Sequence, residues 1–400
     1  VILVVADDTS GAAELAAAAT ARGYTVELRR NTSSPAPTVD VVVYDTQTRS
    51  LDAAAAIATL HPLWPIVRQW PVTWCFKKID SVLRGHVAIE SCIMAHELGF
   101  RSVWICPANP SRHRVVAGGQ LTIGGQPAHR TSFRFDPEYP LTTSSLSERL
   151  RNELASVAGQ PCDVPITALD ATSLDDLRQL AAALPDNVLA AGASDFFSAL
   201  LDKHHGHRAT ANIENRWPAT DRNATTVLVC GSKQAWGARV EQCQELGIPT
   251  FALRATHLQT GAASSSAFEA LAQQASDALQ QASHIAIGID SAIDTCAGGI
   301  VSPQLLVARL ARLVCTIFAI GPVSRLLVEG GSTASHVLDC LGYHSLQVIG
   351  RCDELAVLSP RGASTPQIII KPGSYDWPTS LFEPFKKACN SRLLPSEIVP

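Results

Sequence analysis

The chain opens VILVVADDTSGAAELAAAATARG, and this succession constrains the fold more than any other feature. Six apolar, mostly β-branched residues in a row leave no polar face for water, so the strand must be covered on both sides. A polar turn, DDTSGA, follows at once, and then an Ala-rich helix ended by Gly23. Strand, turn and helix form the unit of a parallel sheet, because parallel neighbours need a long crossover that lies on the sheet face. The unit recurs. TVELRR and VDVVVYDTQTR read as strands, DAAAAIATL as a helix, VTWCFKKID as a strand, VAIESCIMAHELGF as a helix, and SVWICPANP as a strand with a proline-rich exit. Residues 114–135 carry two Gly-Gly pairs between short β-rich pieces, which predict hairpins over the sheet edge.

A chain of 400 residues suits two domains. The polar stretch 202–226, poor in aliphatic residues, is the expected linker. The predicted domains are therefore 1–226 and 227–400. The second repeats the α/β pattern: TVLVCGS, PTFALR, HIAIGID, SRLLVE and QIIIK as strands, with helices between them, one over about 303–319.

With 46% hydrophobic and 17% charged residues, the chain has ample apolar material for packed cores. A net charge of −4 argues against a nucleic-acid partner, so any cationic site must be local. Eleven cysteines without a C-x-x-C pair argue against a disulfide framework and for buried thiols in a reducing cytoplasm. No run reaches the ~18 apolar residues of a membrane span. The first residues are expected to be a strand and not a signal peptide, and the missing initial Met suggests removal or trimming. KHHGH offers His204, His205 and His207 but no Cys or paired carboxylate at ligand spacing, so no metal site is assigned.

Three turns collect charge behind apolar strands. The first holds Asp7 and Asp8, the second Asp45, Thr46 and Arg49, and the third is KKIDSVLRGH with Lys77, Lys78, Asp80, Ser81, Arg84 and His86. PANPSRHRVV adds Arg112 and Arg114. In a parallel sheet these turns share one edge, where open α/β folds bind ligands. Carboxylates there can bind hydroxyls, hold a metal or take a proton, and equally one can cap a helix. Arginine and lysine suit a carboxylate or phosphate. Together they point to a small polyhydroxylated acid. In the second half, glycine turns follow three strands: Gly231–Ser232, Gly330–Gly331–Ser332–Thr333, and Lys371, Gly373 and Ser374. Such turns aim backbone N–H groups at anions, although tight turns also use glycine for steric reasons alone. Neither G-x-x-x-x-G-K-[ST] nor G-x-G-x-x-G is present, which disfavours a P-loop NTPase and a Rossmann dehydrogenase.

Taken in order, the motifs resemble those of the four-carbon acid sugar kinases, a family once described only as a domain of unknown function. ADDTSGA resembles A-D-D-x-T-G-A, DTQTR resembles D-T-x-S-R, and KKIDSVLRGH resembles K-K-x-D-S-T-L-R-G-N. PANPSRHRVVAGGQLTIGGQP, EGGSTASHVLDCLG and IIIKPGSYD resemble the family's later motifs. The resemblance implies a two-domain α/β fold, each domain a mostly parallel sheet flanked by helices, with the active site in the interdomain cleft. It implies ATP with Mg²⁺, and phosphoryl transfer to a terminal hydroxyl of the acid. Asp8, Lys77, Asp80, Arg84 and Arg114 would face the acid, and Gly231, Ser232, Gly330, Gly331, Thr333, Lys371 and Gly373 the nucleotide. Asp8 is the expected base, with Asp80 second, and Arg84 with a lysine is expected to hold the carboxylate. Asp7, Asp45, Arg49, Lys78 and Ser81 complete the acid site, and Ser332 and Ser374 the nucleotide site.

The chain departs from the family pattern at several points. Ser332 stands for a Glu, His113 for a Gly, Val115 and Val82 for Thr, and His86 for Asn. DELAVLSP replaces a P-G-V-P stretch. The alternative is a catalytically weak sugar-acid-binding or effector-like relative. The oligomeric state is left open, with a homodimer as one candidate.

Overall fold

A computed structural model describes the chain except residues 33–35, 137, 157–162, 206–223, 259–261, 294, 297–298, 374 and 383–400. The backbone divides into two compact units, Val1–Ile213 and Glu214–Pro400. Most of the expected linker, 206–223, lies outside the described residues. Its first residues are not linker, because the helix Ser194–His205 runs through them.

In the N-terminal unit, seven parallel strands stand in the order Val26–Arg29, Val41–Asp45, Ile2–Ala6, Trp74–Lys78, Val188–Gly192, Ser102–Cys106, Ile166–Ala168. Every residue of Ile2–Ala6 and Val41–Asp45 is buried, as the uninterrupted apolar runs require. The helix Thr9–Thr20 lies close on the sheet because Ala12, Ala13, Ala16, Ala17 and Ala19 form its buried face. From Ile2–Ala6 the chain first builds strands on one side and then crosses to Trp74–Lys78 on the other. The carboxyl end of the first strand is thus the point where strand order reverses, and there the flanking loops diverge to leave a crevice.

The Gly-Gly hairpins form as expected. Arg114–Ala117, Gln120–Ile123 and Gln126–Pro127 make an antiparallel sheet, with Gly118, Gly119, Gly124 and Gly125 all at positive φ in its two turns. Beyond them, 3₁₀ turns over Ala128–Arg130 and Ser132–Phe135 replace any further strand.

In the C-terminal unit, five parallel strands run in the order Thr250–Leu253, His284–Ile289, Thr226–Cys230, Arg325–Glu329, Gln367–Lys371. Two antiparallel strands extend the sheet, Leu355–Pro360 and Ser345–Cys352. DELAVLSP therefore supplies a strand where the family's P-G-V-P was expected. Trp236, Leu228, Ala286, Leu327 and Ile369 form the core on one face. The helix Pro303–Ile320 is long and apolar enough to cross a membrane, with mean hydropathy 1.6. It carries Arg309 and Arg312, and it buries Leu306, Leu310, Leu313, Val314 and Ile317 inside the unit.

Cys106, Cys230, Cys243 and Cys352 are buried free thiols, as expected, whereas Cys75 and Cys315 are half-buried and Cys340 is exposed. Cys92 departs from that pattern, because it is disulfide-bonded.

Candidate active site

The strand register puts the three charged turns together. Ala6 lies beside Asp45 on one side and Lys78 on the other, so Asp7, the Thr46–Arg49 turn and the Asp80–Arg84 turn leave the sheet side by side. Asp8 caps the helix Thr9–Thr20, its Oδ1 accepting from the Gly11 N–H at 3.0 Å. A methyl group on Gly11 would sit 2.6 Å from that oxygen, so only glycine leaves room for the capped carboxylate.

Arg49 ties the turns together. Its Nε and Nη2 each reach an Asp7 oxygen at 2.8 Å, Nη2 lies 2.7 Å from Asp8 Oδ1, and Nη1 lies 3.9 Å from Asp80 Oδ1. Burial alone would lower the Arg49 pKa, but Asp7, Asp8 and Asp80 outweigh it and hold the guanidinium charged well above its ordinary range. Burial likewise works to raise Asp7, yet Arg49, Lys77 and Lys78 keep its carboxyl below the usual value.

Arg84 does not present a free fork to a ligand. Its Nε and Nη2 grip Asp80 at 3.0 and 3.1 Å, and Nη1 lies 3.3 Å from Asp136 Oδ2. Asp80 also accepts from the backbone N–H groups of Val82 and Arg84. Although burial pushes the other way, Arg84 and Arg49 hold the Asp80 carboxyl far below the usual carboxylate range. This corrects two sequence expectations. Asp80 is an anchor for Arg84 and a very weak base, and Arg84 reaches its own carboxylates first.

Lys77 and Lys78 separate because neighbouring strand residues face opposite sides. Lys77 is buried against Glu90 of the helix Val87–Leu98, Nζ to Oε2 2.8 Å, with both side chains 1% exposed. It was expected to face the ligand, and instead it is part of the core. Lys78 lies 3.6 Å from Glu14 and donates to the Ile79 carbonyl at 2.9 Å. Glu14 also accepts from Ser194, which links this edge to Asn109.

Arg114 stands apart. It is 7% exposed, its Nη1 donates to the Ser81 hydroxyl, and its guanidinium lies over the Phe133 ring at 5.5 Å. Among the described residues it forms no close ion pair, although Asp80 lies within reach of its charge. Phe133 also lies beneath Arg84, at 5.7 Å, so one ring carries two guanidinium groups. Phe133, Asp136 and Tyr139, whose hydroxyl donates to the Arg49 carbonyl, were missed in the sequence. The FRFDPEY stretch gave no signal beyond its aromatic content.

Asp45 is fully buried at this edge, accepting from Thr9 Oγ1 at 2.6 Å and Arg30 Nε at 3.2 Å. Burial raises its carboxyl to about 6, and Arg30 and Thr9 only partly offset this. The unfolded value is near ~3.9, so over pH ~4 to 6 the folded chain holds a proton that the unfolded chain has lost. The stability this group contributes therefore falls as pH rises through that window. Urea unfolding of wild type and Asp45→Asn at pH 4 and pH 7 should show the difference moving in favour of the mutant by roughly 2–3 kcal/mol. A difference that stays flat with pH would rule out a raised Asp45.

In the C-terminal unit, the parallel register aligns Cys230 with Glu329, and Glu329 with Lys371, so the three glycine turns leave one edge. Ser232 caps the helix Lys233–Glu245 by accepting from Ala235 N at 3.2 Å. Gly330, at φ +99, starts the helix Gly331–Cys340 without a side-chain cap. A Cβ on Gly231 would lie 1.8 Å from Thr333 Oγ1, so the starts of the two helices touch at these residues. Ser332 is exposed at the second start, and Gly373 is exposed with open space about it. Ser374 lies outside the described residues.

Lys371 does not fit the nucleotide role expected of it. It is fully buried, 3.1 Å from Glu329 Oε1, and it donates to the Pro372 and Tyr375 carbonyls. An ammonium has three donors, and these partners use all of them. Glu329 Oε2 in turn takes Arg239 at 3.0 Å and the Trp377 indole at 3.1 Å. Glu329, Arg239 and Trp377 were also missed in the sequence.

Residues 2–164 match the sugar-binding N-terminal domain, and residues 227–375 match the nucleotide-binding C-terminal domain. The chain belongs to the four-carbon acid sugar kinase family. Within this family it is similar to a 3-oxo-tetronate kinase of Pectobacterium atrosepticum, 24% identical over 86% of this chain and 89% of that one. A D-threonate kinase of Bordetella bronchiseptica is 31% identical over 45% of this chain and 49% of its own. A D-threonate kinase of Salmonella typhimurium is 29% identical over 37% and 35%. The alignments to these two D-threonate kinases thus span half or less of their length. Solved structures share the fold: one from Salmonella typhimurium LT2, TM-score 0.71 and 21% identical, covers 96% of this chain and 97% of its own. One from Haemophilus influenzae, TM-score 0.66 and 18% identical, covers 98% and 100%.

Proposed function

We propose that this family member is a kinase that uses ATP to phosphorylate a terminal hydroxyl of a four-carbon sugar acid. The observation that carries the reading is Arg114, a buried guanidinium that forms no close ion pair among the described residues, Asp80 acting on it only from a distance while engaged by Arg84. Buried charge is costly unless paired, and the planar fork of arginine matches a carboxylate. The acid's carboxylate belongs on Arg114, which replaces Arg84 in that role. Ser81, beside it, offers a hydroxyl to the acid's own. The similarity to a 3-oxo-tetronate kinase over most of both chains supports the substrate class.

Phosphoryl transfer asks the protein for positioning, for positive potential on the phosphates, and for a group to receive the hydroxyl proton. In the N-terminal unit Asp8 is that group, held by Gly11, Ser10 and Arg49. In the C-terminal unit, the helix starts beside Gly231–Ser232 and at Gly331–Thr333 suit the phosphates, while the Gly330 N–H is already taken by the Lys371 carbonyl. Among the described residues no three His, Cys, Asp or Glu side chains converge on one point as a metal cage. Mg²⁺ fits this arrangement as an ion brought by ATP and held by phosphate oxygens and water. The location we assign is the cytoplasm, where ATP is abundant.

ADP release should be measured with a panel of three- to six-carbon sugar acids. Turnover is expected with a four-carbon acid such as threonate, erythronate or 3-oxo-tetronate, and not with ATP alone. A panel without turnover would end the kinase reading. Binding of the acid with no ADP release would instead favour the catalytically weak relative, for which the loss of a carboxylate at Ser332 speaks.

A further inference from the structure

We infer, on the sugar-acid reading of the N-terminal unit, that Arg149 and Glu153 are positioning residues for the reaction, holding the turn that carries Asp80, Ser81 and Arg84 at its middle and at its exit. Both belong to the helix Leu146–Ala155 and, four residues apart, share one of its faces. Arg149 reaches the middle of the turn, where its Nε and Nη2 donate to the Leu83 carbonyl at 3.3 and 3.1 Å. Glu153 reaches the exit, where its Oε1 accepts from the Ile89 N–H at 3.0 Å and its carboxyl also takes the Ala88 N–H.

Each contact meets a need that the turn does not fill by itself. Leu83 stands at φ +61, a left-handed conformation that is costly for leucine and persists only where the surroundings enforce it. Its N–H donates to the Asp80 carbonyl at 2.9 Å, while both Arg149 donors go to its own carbonyl. At the exit, the helix Val87–Leu98 starts from His86 without a side-chain cap. Ala88 and Ile89 are the second and third residues of that helix, whose N–H groups a capping side chain ordinarily takes, and Glu153 supplies the cap from another helix. Between the two held points, Gly85 sits at φ +83 so close to the first two turns that a Cβ would lie 3.2 Å from Asp7 Oδ2 and from Arg49 Cγ. Ser81, which accepts from Arg114, rides on the same turn. Where Ser81 stands relative to Arg114 thus depends on how firmly the helix Leu146–Ala155 grips Leu83 and the helix start.

Steady-state kinetics of Arg149→Ala and Glu153→Ala with a four-carbon acid, together with hydrogen exchange of the amides of residues 82–89, test this. Each variant should raise KM for the acid by about ten-fold, the lower end of what a lost charge-assisted contact to a carboxylate costs. KM for ATP should not move, since the helix starts suited to phosphates belong to the other unit. The amides should exchange faster than in wild type. Glu153→Gln keeps an acceptor for the Ile89 N–H. Burial pushes the Glu153 carboxyl up to about 7 against the pull of the Ile89 and Ala88 N–H groups, so glutamine resembles its protonated form and should restore most of the acid affinity. Arg149→Lys keeps one donor, guards against an alanine variant that fails to fold, and should fall between wild type and alanine. A merely structural role would lower the folded fraction, and with it the apparent kcat, but leave KM alone. Unchanged KM for the acid in variants of an active wild type, even with faster exchange, would overturn the positioning role and leave the sugar-acid site standing. If wild type turns over no sugar acid, the sugar-acid reading fails and the positioning role with it.

Discussion

Replacing Asp8 by asparagine is expected to lower kcat by about 10²–10⁴-fold, the range for loss of a general base. The substitution is informative because asparagine is as good a helix cap as aspartate. It can keep the bond from the Gly11 N–H, so the helix start is preserved while the proton acceptor is lost. ATP affinity should not change, since Asp8 belongs to the N-terminal unit and the helix starts suited to phosphates belong to the other. Steady-state kinetics with a four-carbon acid, together with calorimetric ATP binding, separates these effects. Asp8→Ala adds the loss of the cap, about 1 kcal/mol of stability, and should cost kcat no more than asparagine does. If Asp8→Asn turns over at near the wild-type rate, Asp8 is a cap and no more. Asp80 is a poor substitute, because its arginine partners hold it ionised and occupied.

The second large effect is on stability. Glu90→Ala should destabilise the N-terminal unit by about 3–5 kcal/mol, because it strands the Lys77 ammonium in the core. Both side chains are 1% exposed and 2.8 Å apart, so no water is at hand to replace the lost partner. The Lys78 carbonyl, which accepts from Lys77 at 3.1 Å, compensates only in part. Replacing both charges, as in Lys77→Met with Glu90→Leu, should recover most of the loss, since a well-packed apolar pair can match a buried ion pair. Urea unfolding of the two single variants and the double one measures this directly. A loss below about 1 kcal/mol for Glu90→Ala would mean that the pair is not the buried contact described. The double variant also tests Lys77 as a ligand group: if sugar-acid binding survives in it, Lys77 acts only through the core.

Much of this architecture was legible in local sequence. Buried parallel strands announce themselves by unbroken β-branched runs, and each strand's end is marked by the polar or glycine turn that follows. The hairpins were readable from Gly118–Gly119 and Gly124–Gly125, since only residues tolerant of positive φ make such turns cheaply. The antiparallel strand Ser345–Cys352 was not. A register shift between Val348 and Gly350 breaks the period of two by which a half-buried strand is recognised.

The charged residues divide in a similar way. Sequence placed Asp7, Asp8, Arg49, Asp80, Arg84 and Arg114 at one sheet edge, because a strand's end fixes where its turn emerges. It could not tell which carboxylate each cation would take. That choice depends on which strands become neighbours and on what folds over them. Strand alternation sends Lys77 to one face and Lys78 to the other, but only the packing of the helix Val87–Leu98 gives Lys77 its partner Glu90. Only the return of the 128–139 segment over the edge brings Asp136 to Arg84 and leaves Arg114 without a close ion pair among the described residues. Ion pairing falls off over a few ångströms, whereas these partners lie up to 52 residues apart in the chain.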